Sequence, residues 1–115
     1  MFERILPSLQ LPFNEREVDD FSLMTSVVDG AFRVSIRGEL DLATRGLVRD
    51  ACLRGDQLPV VADLEQTTFM DSAGYRDIEA ACDELKRRGG AFTLRHVHGQ
   101  PARLISLLST LRDSS

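Results

Sequence analysis

At 115 residues, with ordinary apolar and charged fractions, the chain is expected to form one globular domain with a core of its own. Its net charge of −4 argues against a nucleic-acid binder, since such domains carry a basic face. No stretch approaches the roughly twenty apolar residues that a membrane span needs, and the two cysteines, Cys52 and Cys82, lack the CxxC spacing of a metal or redox pair.

Residues 1–20 read as an arm. They hold five acidic residues against two basic ones, and Pro7 and Pro12 interrupt the apolar positions Phe2, Ile5, Leu6, Leu9, Leu11 and Phe13. The remaining chain is close to charge balance. The start lacks the continuous apolar segment of a secretory signal, so a cytoplasmic protein with buried, reduced thiols is expected. The domain proper is assigned to residues 21–115.

"FSLMTSVV" from Phe21 reads as a strand, and Asp29-Gly30 as the turn of a hairpin, because both central positions of a type I′ turn need positive φ. In "AFRVSIRG" Phe32, Val34 and Ile36 alternate with Arg33, Ser35 and Arg37, the pattern of a half-buried strand. Asp41 is a candidate N-cap for an amphipathic helix through Leu47, Ala51, Cys52 and Leu53 that ends at Gly55. "QLPVVADL" is apolar on both faces, as a central strand covered by two layers would be.

A second helix is predicted from Ser72, with Tyr75, Ile78, Cys82 and Leu85 on one face and "KRRGG" at its end. "AFTLRHV" reads as a strand with Phe92, Leu94 and His96 on one face. The last helix, "GQPARLISLLSTLRD", has Pro101 in its first turn and a stripe of Leu104, Leu107, Leu108 and Leu111. The order is β-β-α-β-α-β-α, an α/β sandwich with a four-stranded mixed sheet and three main helices, its later strands joined by right-handed crossovers.

The chemistry centres on "TTFMDSAGYRDIEAA", Thr67 to Ala81. Here Ser72 can be read as a helix cap, a nucleophile or a phosphate acceptor. The nucleophile reading lacks support: "DSAG" is not the G-x-S-x-G elbow, and the only histidines, His96 and His98, follow a different strand. As metal ligands these two histidines lack an evident third partner. No glycine-rich phosphate loop is present. Glu39, Asp41, Asp63, Glu65 and Asp71 could gather at one end of the sheet around a divalent ion, but without a spacing rule they read as solvated loop carboxylates, and no metal site is assigned. A phosphate at a helix start is tolerated by the free N–H groups there and adds about −1.5 to −2 charges to the surface.

"VVADLEQTTFMDSAGYRDI" resembles the signature of the STAS domain as found in bacterial anti-anti-sigma factors, and "GELDLAT" at Gly38–Thr44 resembles the second signature of that family. The similarity runs from Phe21 to Leu111 with every element in order. It implies a binding regulator, not an enzyme. In its unphosphorylated form the protein would bind an anti-sigma factor serine kinase and release a sigma factor. Phosphorylation would switch it off, and a serine phosphatase would reset it. ATP would sit in the kinase, so the chain needs no cofactor.

Carried onto this sequence, the phosphoacceptor is Ser72. The implied partner-binding positions are Glu39, Leu40, Asp41, Asp71, Ser72, Ala73, Gly74 and Tyr75. Tyr75 stands where leucine is usual, Ala73 replaces a common second hydroxyl, and Glu65-Gln66 replaces a smaller link. The alternative implied by the same resemblance is an adaptor subunit of a membrane lipid-transport system or a stress-sensing assembly. Oligomeric state is left open.

Overall fold

The computed structural model describes residues 21–55 and 57–114. The arm expected at 1–20 lies outside them. β1 (Phe21–Val28) and β2 (Ala31–Leu40) form the antiparallel hairpin. Asp29 at φ 53° and Gly30 at φ 79° both sit in the left-handed region that the two-residue turn requires. A 3₁₀ turn (Leu42–Thr44) leads to α1 (Leu47–Leu53), β3 (Val60–Asp63), β4 (Thr67–Met70), α2 (Ser72–Arg87), β5 (Phe92–Arg95) and α3 (Gly99–Ser114).

The expected element order is present, with one strand added. Along the sheet the order is β1-β2-β3-β5, and β4 also pairs with β2, so the described residues build five strands instead of four. Only the hairpin pair is antiparallel. β3 runs beside Phe32–Ser35 of β2, and β4 runs beside Gly38–Leu40. The chain therefore leaves β2 at Leu64, turns, and rejoins it further along, with a register irregularity at Gly38/Glu39. Thr67 secures the return: its buried hydroxyl donates to the Ile36 carbonyl at 2.8 Å.

The core is built where the alternation of β2 meets the helices. Val34, Ile36 and Leu40 of β2 pack with Val60 and Ala62 of β3, Val48, Ala51 and Cys52 of α1, and Ile78, Ala81 and Leu85 of α2. Each of the valine, leucine and isoleucine side chains among them contributes about 1.5–3 kcal/mol on burial. β3 departs from the reading that both of its faces are covered. Val60 and Ala62 are buried, whereas Val61 and Asp63 share a partly open face with Arg33 and Ser35 of β2. Cys52 is core material: burial, reinforced by the Asp77 carboxylate and opposed by Arg54, pushes its thiol up to about 12. Cys82 is half-buried, and both cysteines are free thiols.

Two helices differ from expectation. Asp41 does not start α1. It closes the 3₁₀ turn, with Ala43 N–H donating to its Oδ1 at 3.0 Å and its own N–H donating to Thr44 Oγ1 at 3.1 Å. Gly46 then turns the chain at φ 90°, and α1 begins only at Leu47 with no side-chain cap of its own. Asp77 of α2 serves instead. Its Oδ1 accepts from Gly46 N–H (3.1 Å), and its Oδ2 from Val48 N–H (3.2 Å) and Arg49 N–H (3.4 Å). In α3 the packing face is Pro101, Leu104, Ile105 and Leu108, while Leu107 and Leu111 point outward.

Candidate functional site

The turn from β4 into α2 is held from three directions. On one side Asp71 N–H donates to the Leu40 carbonyl at 3.0 Å. On another the Gln100 amide brackets the Met70 backbone: Met70 N–H donates to Oε1, and Nε2 donates to the Met70 carbonyl, both at 2.8 Å. Gln100 thus takes the place of a neighbouring strand. From below, Gly74 rests on β2. A Cβ at Gly74 would lie 2.4 Å from the Leu40 carbonyl oxygen and 2.8 Å from the Leu40 Cβ. Backbone cannot yield as a flexible side chain does, so Gly74→Ala is expected to cost roughly 1–3 kcal/mol, read as a lower urea midpoint at unchanged slope.

The helix cap belongs to Asp71. Its backbone is extended, and its Oδ1 accepts from Gly74 N–H at 2.9 Å. Ser72 is the first helical residue and is exposed. The capping role that the sequence left open to Ser72 belongs to the aspartate before it, which leaves the serine hydroxyl outside the cap. Chemical unfolding should separate them: Asp71→Ala should lose about 1 kcal/mol, while Ser72→Ala should stay within about 0.5 kcal/mol of the parent.

The surface around Ser72 is a shallow groove between the 3₁₀ turn and the first turns of α2. Leu42, Arg45, Ala73, Arg76 and Ala80 line it with Ser72, Asp71 and Asp77. Leu42 is 64 % exposed. Phe69, on the strand that enters the turn, is also exposed.

The residues implied as partner contacts divide into two groups. Glu39, Asp41, Asp71, Ser72 and Ala73 are exposed or half-buried around the turn. Leu40 and Gly74 are not surface residues: Leu40 is 1 % exposed and lies directly beneath Gly74. Tyr75 packs against the core and brings its hydroxyl within 3.5 Å of Ser109 Oγ of α3. Leu40 and Gly74 support the turn from below, while Tyr75 is half-buried like Asp71 and Ala73. Sequence reasoning missed Gln100, Asp77, Arg45, Arg76 and Leu42. Only Arg76, one helical turn after Ser72, carried a spacing signal.

The carboxylates considered for a metal do not gather as one set. Asp63 and Glu65 meet His96, with ligand atoms within 4.8 Å of one another. His96 Nδ1 lies 3.0 Å from Asp63 Oδ1 and 3.7 Å from Glu65 Oε1, and Arg33 lies 3.5 Å from Asp63 Oδ2. His96 leaves the strand at φ 59° to reach this position, so it does not continue the Phe92–Leu94 face. Burial pushes the Asp63 carboxyl up, but the Glu65 N–H, the His96 ring and the Arg33 guanidinium outweigh it and hold it below the usual carboxylate range. An ion here would face Arg33 across Asp63, so the charge of this carboxylate is already met by the chain. His98 bonds the Glu65 carbonyl at 2.8 Å. Neither histidine lines the Ser72 groove, and the two carboxylates that do, Asp71 and Asp77, accept backbone N–H groups.

Residues 22–113 match the STAS domain family model. The chain belongs to the STAS domain family. No curated protein sequence matches it. Among solved structures, the STAS fold here is similar to an anti-sigma factor antagonist from Mycobacterium paratuberculosis, at 24% identity and a TM-score of 0.62 over 84% of this chain and 83% of that one. It is also similar to a putative anti-sigma factor antagonist from Thermotoga maritima, at 18% identity and a TM-score of 0.67 over 78% of this chain and 80% of that one. The murine anion transporter Slc26a9 contains a similar unit, at 16% identity and a TM-score of 0.60, covering 76% of this chain and 18% of the transporter. Among the described residues of this STAS chain, no helix is long and apolar enough to cross a membrane.

Proposed function

We propose that this STAS protein is an anti-sigma factor antagonist. Unphosphorylated, it binds an anti-sigma factor serine kinase and frees a sigma factor, and phosphorylation of Ser72 ends the complex. The observation that carries this reading is the exposed Ser72 hydroxyl, at the first position of α2, with the cap supplied by Asp71 next to it. In the transfer, the Ser72 oxygen forms a bond to the γ-phosphorus of ATP. The bond to the β-γ bridging oxygen breaks, ADP leaves, and the hydroxyl proton passes to a base of the kinase. The protein itself contributes no catalysis. The fold likeness to two proteins described as antagonists supports the assignment.

The deciding experiment is intact-mass spectrometry after incubation with candidate anti-sigma kinases and ATP. One added phosphate, lost in Ser72→Ala, is expected. Phosphate that persists in the variant, or none with any candidate kinase, would remove Ser72 from the role. The likeness to a unit of an anion transporter favours one second reading, an adaptor attached to a membrane transport system. Affinity capture that recovers a transporter subunit and no sigma-regulating kinase would select it.

A further inference from the structure

The groove beside Ser72 contains two arginines from different parts of the fold. Arg45 follows the 3₁₀ turn, and Arg76 stands four residues after Ser72, on the same face of α2. Both are exposed. Among the described residues neither has a carboxylate within ion-pair distance. The acidic groups on the same groove are Asp71 and Asp77, and both have other work. Asp71 Oδ1 accepts from Gly74 N–H, and Asp77 accepts from three N–H groups at the start of α1. Asp41, on the adjoining turn, accepts from Ala43 N–H. The groove therefore presents, next to the Ser72 hydroxyl, two guanidinium forks that are not ion-paired among the described residues, while its two carboxylates, Asp71 and Asp77, are turned to backbone N–H groups.

We propose that Arg45 and Arg76 close on the phosphate of phosphorylated Ser72 and hold it against the domain. Guanidinium groups take phosphate oxygens in pairs of parallel hydrogen bonds, which lysine cannot reproduce. Phosphorylation then does two things at once. It adds an anion to the groove, and it withdraws two cations from whatever faces that groove. This inference rests on Ser72 as the modified residue, but its test does not pass through a kinase.

Phosphoserine is installed at position 72 by genetic code expansion, and its second ionisation is followed by ³¹P NMR against pH. Ordinary phosphoserine titrates near pH 6. Two guanidinium groups that close on the phosphate favour the dianion, while the neighbouring Asp71 and Asp77 carboxylates oppose it, so the expected result is a parent midpoint about 1 pH unit below that of a protein lacking both arginines. The Arg45→Gln/Arg76→Gln double variant should titrate at or above a phosphoserine peptide, because the Asp71 and Asp77 carboxylates are then unopposed. Arg45→Lys/Arg76→Lys, which keeps the charge but loses the fork, should fall between them. Circular dichroism of the unmodified variants reports that the fold is kept, as the exposure of both side chains leads one to expect. Identical midpoints in the parent and the glutamine variant would overturn the proposal. Failure of the kinase experiment would remove the kinase reading and leave this titration standing on its own result.

Discussion

Asp77→Ala is expected to destabilise the domain by roughly 3 kcal/mol, the largest loss from any single polar side chain described above. The carboxylate is 6 % exposed and accepts three backbone N–H groups, those of Gly46, Val48 and Arg49. Alanine would leave these donors without a partner at the start of a helix that has no cap of its own. The loss is not confined to α1. Val48, Ala51 and Cys52 form the α1 share of the core, so loosening its first turn exposes apolar surface against β2 and α2. Asp77→Asn should fall between the two. Its carbonyl oxygen can still serve Val48 and Arg49, but its amide then meets the Gly46 N–H donor to donor. Urea unfolding of the three proteins checks the order. Equal midpoints for the parent and Asp77→Ala would show that α1 is held by packing alone.

The same residue illustrates what a linear reading reaches. The hairpin is legible because its signals are local: Asp29-Gly30 supplies two left-handed positions, and the alternation from Phe32 to Ile36 is unbroken. The beginning of α2 is legible because Asp71 caps within three residues of itself. α1 is misjudged at its start because its cap lies 31 residues from Gly46 on another helix, a distance over which sequence carries no pattern. β4 is missed for a similar reason. Its four residues, with Thr67 and Met70 buried at either end, have no alternation, and only the free edge of β2 beyond Gly38 makes them a strand. Helical period alone assigns Leu107 and Leu111 to the core face of α3, but the helix packs mainly on β4, with a smaller contact to α2, and both leucines stay exposed. At the site, the motif around Ser72 is visible in one dimension. The convergence of Arg45 on it is a product of the 3₁₀ turn and Gly46, which bring the loop after β2 alongside α2.

The affinity for the cognate anti-sigma kinase is expected to fall about 100-fold when Ser72 is phosphorylated, roughly 3 kcal/mol at 1.4 kcal/mol per tenfold. Ser72→Ala should bind as the unmodified protein does, because the hydroxyl takes no part in capping α2 and its loss leaves the turn in place. Ser72→Asp should weaken binding by less than the phosphate does. Its carboxylate carries a single charge and two acceptor oxygens, where a phosphate carries about −1.5 to −2 and three. Leu42→Asp, which puts a charge on an exposed apolar side chain of the groove without touching the acceptor, should also weaken the complex while leaving Ser72 chemically intact, because a charge buried there without a partner is costly. Isothermal titration calorimetry of the series against one kinase separates charge from shape. If the phosphate acts by its charge at the interface, the penalty shrinks as salt is raised, since exposed charges are screened within about 10 Å at 0.1 M. A penalty that does not change with salt would mean that the phosphate acts by reshaping the groove instead. Equal affinity of the phosphorylated, Ser72→Asp and unmodified proteins would reject the switch altogether.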